Sequence, residues 1–174
     1  TGELEERCWF DIDHTKEGSN TLCSKNATDE QILNGICLYI EGVHDVITLK
    51  PDIPNVEVDT EEYEKHIVTL KEALLQGIRL AYSLDDYEID AIIKPSDDEG
   101  DEIVLFETAE GGTGVLESIT DRNRFLDIVS KALELLHENE EDECDCACYE
   151  CLLSYYNQRE HHLLDRKLVI PLLE

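Results

Sequence analysis

The chain contains no methionine, and it has only 14 lysines and arginines against 42 aspartates and glutamates. A sequence without Met that begins at Thr1 reads as a processed piece or as one domain of a longer polypeptide. The shortage of cationic side chains leaves a formal net charge of −28. That excludes gripping nucleic acid through the general surface, because phosphate binding needs clustered Lys and Arg. The nearest approach to a basic run, Arg159 to Lys167, is short and mixed. The acid instead matches a basic partner, high solubility or a salt-rich cell. Apolar runs long enough to span a bilayer are missing, as is a signal-peptide pattern. Evenly spread cysteines are missing too, which excludes a small secreted disulfide scaffold. A reducing, cytoplasmic setting fits the thiols better.

What is present is enough for a core. At 174 residues and 41% apolar composition, the length suits one domain that folds without disulfides. Residues 1–33 read as irregular and polar, apart from a short strand at Cys8-Trp9-Phe10. The segments 36–40 and 46–49 read as strands of a hairpin around a turn at Gly42 to Asp45. Asp59 or Thr60 is placed to cap a long helix, with Glu62 completing a capping box behind Asp59. Tyr63, Ile67, Leu70, Leu74, Ile78 and Ala81 then recur at steps of three and four, which predicts one buried helical face. Residues 89–93 and 103–106 read as strands. The second is a continuous apolar run and is expected to be central and buried on both faces. Thr120 or Asp121 caps a further helix with the stripe Phe125, Ile128, Val129, Ala132, Leu135 and Leu136. Two more helices are expected over 149–156 and 163–173, the latter weakened by Pro171.

The fold expectation is therefore α/β (α+β): a mixed β-sheet with hairpins, covered by amphipathic helices, with a C-terminal metal-held helical segment. Three parts are expected within one domain spanning 1–174. Residues 1–55 form an irregular and β N-terminal part, 56–137 an α/β core, and 138–174 a cysteine loop with C-terminal helices.

The densest chemistry lies at Cys144, Cys146, Cys148 and Cys151, four thiols within eight residues. Four thiolates can surround one tetrahedral zinc ion, and the metal can organise a loop too polar to fold alone. The Cys148–Cys151 spacing lets one turn bring two sulfurs to one metal. The C-x-C half at Cys144 and Cys146 needs an extended loop to converge, and His161 or His162 could stand in for one of its ligands. Free thiols or a redox pair are the bland alternative. Cys8, His14, Cys23 and Cys37 are spaced too irregularly to suggest a second site.

The turn Gly111-Gly112-Thr113-Gly114 follows a strand and precedes a helix, as a phosphate-binding turn does. Glu107 and Glu110 flank it, and neither a P-loop lysine nor G-x-G-x-x-G spacing is present. Tight strand-to-helix packing through positive φ angles is the favoured reading. The histidines form no triad, and no nucleophile elbow is present.

The block Glu107-Thr108-Ala109-Glu110-Gly111-Gly112-Thr113-Gly114, the four cysteines and the tail Leu152, Ser154-Tyr155, Asn157-Gln158 and His162 to Leu168 together resemble the MrfA-like zinc-binding domain. The resemblance covers roughly residues 60–170. That family was long catalogued as a domain of unknown function. It occurs at or near the C-terminus of DEAD/DEAH-box superfamily 2 helicases and in DISARM-type defence proteins. The resemblance implies Zn2+ held by Cys144, Cys146, Cys148 and Cys151. It also implies a non-catalytic accessory role beside helicase motor domains of the parent chain or of a partner helicase. Nucleic acid would be contacted only through the parent, and no membrane is involved. One departure is that Ala147 alone separates the two cysteine pairs, where family members have a longer spacer. Two rival expectations stand beside this one. The first is a metal-dependent hydrolase or nuclease subunit using Asp11, Asp13 and Glu107. The second is an acidic module that docks a basic partner.

Overall fold

The computed structural model describes residues 42–96, 100–108, 112, 114–136 and 144–174. The strand readings at 8–10 and 36–40 and the candidates Cys8, Asp11, Asp13, His14, Cys23 and Cys37 lie outside these residues. Residues Val43–Glu174 form one compact unit. Its elements in chain order are β1 (Val46–Leu49), α1 (Glu61–Tyr82), β2 (Ile89–Lys94), β3 (Glu102–Glu107), α2 (Val115–Ile119), α3 (Arg122–Leu135), a 3-10 turn (Gln158–Leu163) and α4 (Arg166–Leu173). The α/β class expected from the alternation of patterns is what the chain adopts.

The sheet has the order β1-β3-β2, and both pairings are antiparallel. Ile47 stands opposite Leu105, and Ala91 stands opposite Leu105 from the other side. β3 is central as its apolar run suggests, but it is not buried on both faces. Ile103, Leu105 and Glu107 are buried, while Val104 and Phe106 are only partly covered. The reason is layering. α1 packs against β2 and β3 from one side, and in a strand successive side chains point to opposite faces.

α1 is the hub. Thr60 caps it, and its hydroxyl accepts from the Tyr63 N–H at 3.1 Å. Asp59 has a positive φ of 65° and takes no part, so the Asp59–Glu62 capping box does not form. Glu61, Glu62 and Glu64 in the first turn complement the positive end of the helix dipole. The apolar stripe read from the sequence is buried from Tyr63 to Ile78, with Ala81 partly so. Burial extends well beyond that stripe, to Val68, Thr69, Lys71, Glu72 and Leu75. The sheet, α3, the 3-10 turn and α4 all pack on this one helix. Its closest crossing is at Gly77, where an added Cβ would lie 2.7 Å from the Ile128 carbonyl and 3.0 Å from the Ala132 Cβ.

α3 is capped by Asp121, whose carboxylate accepts from the N–H groups of Asn123 and Arg124. It buries Ile128 and Ala132 against α1. Residues 149–156 are not a helix. They form successive turns, and Tyr149, Tyr155 and Tyr156 project into solvent. α4 does form across Pro171, which sits near its C-terminal end. No helix among the described residues is long and apolar enough to cross a membrane.

Candidate metal centre

The cysteine loop is built around one carbonyl. The Cys148 C=O accepts from the N–H groups of Cys151 at 3.2 Å, Leu152 at 3.1 Å and Leu153 at 2.9 Å. This wraps the chain tightly enough that the Cys148 N–H also donates to the Cys151 sulfur, at 3.1 Å. The next residue, Leu152, is fully buried and fastens the turn to the core. The spacing of Cys148 and Cys151 thus does what its pattern implies, placing two sulfurs on one side of a turn.

Cys144 joins them from the preceding strand of loop. Its sulfur lies 3.8 Å from that of Cys151, and the Cys148 sulfur lies 3.6 Å from Cys151. All three sulfurs lie within 4.8 Å of one another. A disulfide needs about 2.05 Å, so these thiols are unbonded. A tetrahedral zinc site with Zn–S bonds of about 2.3 Å requires sulfurs about 3.8 Å apart, the bond length multiplied by the tetrahedral edge ratio. The observed edges therefore suit a zinc-sized ion. Cys146 is exposed and is not part of this group. His161 does not stand in for it. Its Nε2 lies 3.0 Å from both the Ser154 carbonyl and the Asn157 side-chain oxygen. His162 is exposed and likewise outside the group.

Burial pushes the Cys151 thiol up to about 12, even though the Cys148 N–H works in the opposite direction. Burial also raises Cys144, helped by the neighbouring Cys148 thiol, and raises Cys146, helped by Asp165 and Asp145. Thiols held this way keep their protons at neutral pH, which is the state of an inert structural cysteine rather than a nucleophile. A dication reverses the balance by taking the place of those protons.

Two side chains to which the sequence reading gave no role support the loop. Asn157 is buried, and its amide donates to the Glu72 carboxylate at 2.9 Å and to the Leu152 carbonyl at 2.8 Å. Its side-chain oxygen accepts from the Ser154 N–H at 2.8 Å, and its own N–H donates to the Ser154 hydroxyl at 3.2 Å. Glu72 in turn pairs with Lys71 at 3.0 Å, and Lys71 reaches Glu160 at 2.7 Å. Burial alone would push the Lys71 ammonium down, but the two carboxylates outweigh it and hold it above its ordinary value. On the other side of the loop, Arg166 bonds the carbonyls of Cys144 and Leu136. The reciprocal Ser154–Asn157 pair, three residues apart before a helical turn, was a readable signal for Asn157. Arg166 lies within the recognised tail His162 to Leu168, but the pattern attaches no role to it.

The glycine turn has a structural role. Glu107 is buried, and its carboxylate accepts from the Leu116 N–H at 3.0 Å and the Gly114 N–H at 3.3 Å. The N–H groups that might have met a phosphate meet Glu107 instead. Gly112 and Gly114 have φ of 67° and 76°, as the packing reading expected.

A model of the MrfA Zn-binding domain family matches residues 70–152, a span that includes all four clustered cysteines. The resemblance drawn from those residues is thereby borne out, and zinc is the ion that both the family and the sulfur geometry indicate. Among curated proteins, none matches. Among solved structures, the crystal structure of the DUF1998 helicase MrfA bound to DNA is similar, with a TM-score of 0.51 and 17% identity. The match covers 68% of this chain and 15% of that one, so this chain corresponds to a small part of a much longer protein. At that identity the likeness is one of fold.

Proposed function

We propose, from the premise that residues 70–152 carry an MrfA Zn-binding domain, that this chain is a zinc-clamped accessory domain of a helicase or of a helicase-associated protein. Its role is to scaffold neighbouring motor domains, and the chemistry and nucleic acid contacts belong to the rest of the parent or to its partner. The observation that carries the reading is the sulfur triangle of Cys144, Cys148 and Cys151, with edges of 3.8 and 3.6 Å. These three residues would hold the ion, and Cys146, which lies outside the triangle, is the proposed fourth ligand on the strength of the four-cysteine pattern alone. Bound there, zinc would cross-link the loop and hold its thiols in the thiolate form. The chain's own residues set the frame. The Cys148 carbonyl winds the turn, Leu152 anchors it in the core, and Asn157 ties it to Glu72 on α1.

One observation supports a non-catalytic role: the Glu107 carboxylate is already engaged by the Gly114 and Leu116 N–H groups at the start of α2.

Cobalt substitution tests the ligand set. One Co2+ per chain, with strong thiolate-to-metal charge transfer and the intense visible bands of a tetrahedral centre, is the expected result. Cys151→Ser should abolish the bands, and Cys146→Ser should weaken and shift them. A weak octahedral spectrum would contradict the site. A Cys146→Ser spectrum identical to that of the parent chain would remove Cys146 from the ligand set.

A further inference from the structure

The two halves of the cysteine loop are supported differently. The Cys148–Cys151 half is held by its own turn, with the three N–H bonds to the Cys148 carbonyl. The Cys144–Cys146 half has no such turn. Two of its carbonyls are met by Arg166. The Arg166 backbone N–H donates to the Cys146 carbonyl at 2.8 Å, and its Nε donates to the Cys144 carbonyl at 3.1 Å. The same guanidinium donates through Nη1 to the Leu136 carbonyl at the end of α3, at 2.6 Å. Arg166 is 8% exposed and is the first residue of α4. Its backbone is fixed from below, since the Asp165 N–H donates to the Thr69 hydroxyl of α1 at 3.1 Å.

We infer that Arg166 is the positioning residue of the metal centre. One side chain joins the C-terminal end of α3, the start of α4 and the Cys144–Cys146 segment, and so presents Cys144 to the other two sulfurs. This rests on the zinc reading given above and deepens it. Arginine suits the task because its planar fork carries donors in fixed, divergent directions, so one side chain serves two carbonyls at once. The cation also faces the carbonyl of Leu136, the C-cap residue of α3, the favourable sense for the helix dipole. A lysine at this position would keep the charge and reach one carbonyl, not both. Lys94, exposed on β2, pairs with Glu102 at 2.9 Å away from the cysteine loop and provides a control for loss of a surface cation, since such pairs contribute little.

The test uses the full chain with Arg166→Ala, Arg166→Lys and Lys94→Ala. Zinc affinity is read by competition with a chromophoric chelator, and site geometry by the visible spectrum of the cobalt form. Loss of a group that orients a metal ligand typically weakens affinity about 10–100-fold, and that loss is expected for Arg166→Ala. Arg166→Lys should recover only part of it, with a shifted cobalt spectrum, and Lys94→Ala should match the parent in both readouts. If the alanine variant does not fold without metal, the rate of zinc release from the loaded protein into excess chelator replaces the affinity, and it should rise for both Arg166 variants. Parental affinity, release rate and spectrum in Arg166→Ala would overturn the inference while leaving the zinc reading intact. A lysine variant indistinguishable from the parent would overturn it as well, by showing that charge alone suffices. Failure of the unaltered chain to bind zinc would overturn both.

Discussion

At the scale of single residues, the site depends on side chains that are not ligands. Asn157 is the clearest. Its amide serves a buried carboxylate and a backbone carbonyl together, and its oxygen holds the Ser154 N–H. Truncation leaves those partners buried without their donors and acceptor, which costs about 1–3 kcal/mol. Asn157→Ala should therefore lower the urea midpoint with an unchanged m-value. Asn157→Asp should be worse, because it sets a second carboxylate against Glu72. An unmoved midpoint in either variant would contradict the role. The thiol cluster itself was legible in the sequence, since four close cysteines are a compositional signal and C-x-x-C is a turn geometry written as spacing. Asn157 lay within the recognised block without a role attached. Arg166 acts on carbonyls 22 and 30 residues away in the chain, and no local pattern encodes such contacts.

At the scale of elements, α1 shows what periodicity reads well and what it misses. The stripe from Tyr63 to Ile78 located the helix, and its N-cap lay where Ser/Thr capping chemistry puts it. Several layers pack on α1, so burial is wider than a single stripe, and that number of neighbours is a tertiary fact. The same limit explains β3. Ile103 to Phe106 is apolar throughout, but helical cover on one side produces alternating burial. Residues 149–156 misled for a local reason. The Cys148 carbonyl takes three successive N–H groups, and the Ser154–Asn157 pair takes the next polar groups, so the segment closes into turns. Gly77 gives a prediction in which two effects have opposite signs. Helix propensity alone would favour Gly77→Ala by up to about 1 kcal/mol. The added methyl would lie 2.7 Å from the Ile128 carbonyl, which is backbone and cannot turn aside. Overpacking should prevail and destabilise the fold by about 1–3 kcal/mol, with a lower thermal midpoint. A stabilised Gly77→Ala would show that α1 and α3 do not cross as closely as described.

At the scale of the whole molecule, the cysteine loop sits where three helices meet. Leu152 enters the core, Asn157 reaches α1, and Arg166 joins α3 to α4, so metal and fold are energetically linked. A net charge of −28 makes the linkage more consequential, because self-repulsion works against the compact state that the metal cross-link would hold together. An ion present at a thousand times its dissociation constant stabilises a fold by about 4 kcal/mol. In a domain of this size that corresponds to a rise of about 10 °C in the melting midpoint. The most direct measurement is therefore metal analysis of the purified chain paired with its thermal melt before and after exhaustive chelation. The account predicts one zinc per chain and a fall in the midpoint of about 10 °C or more, restored by adding zinc back. A chain that carries no ion under zinc-replete conditions, or whose melting curves with and without chelator superimpose, would contradict it.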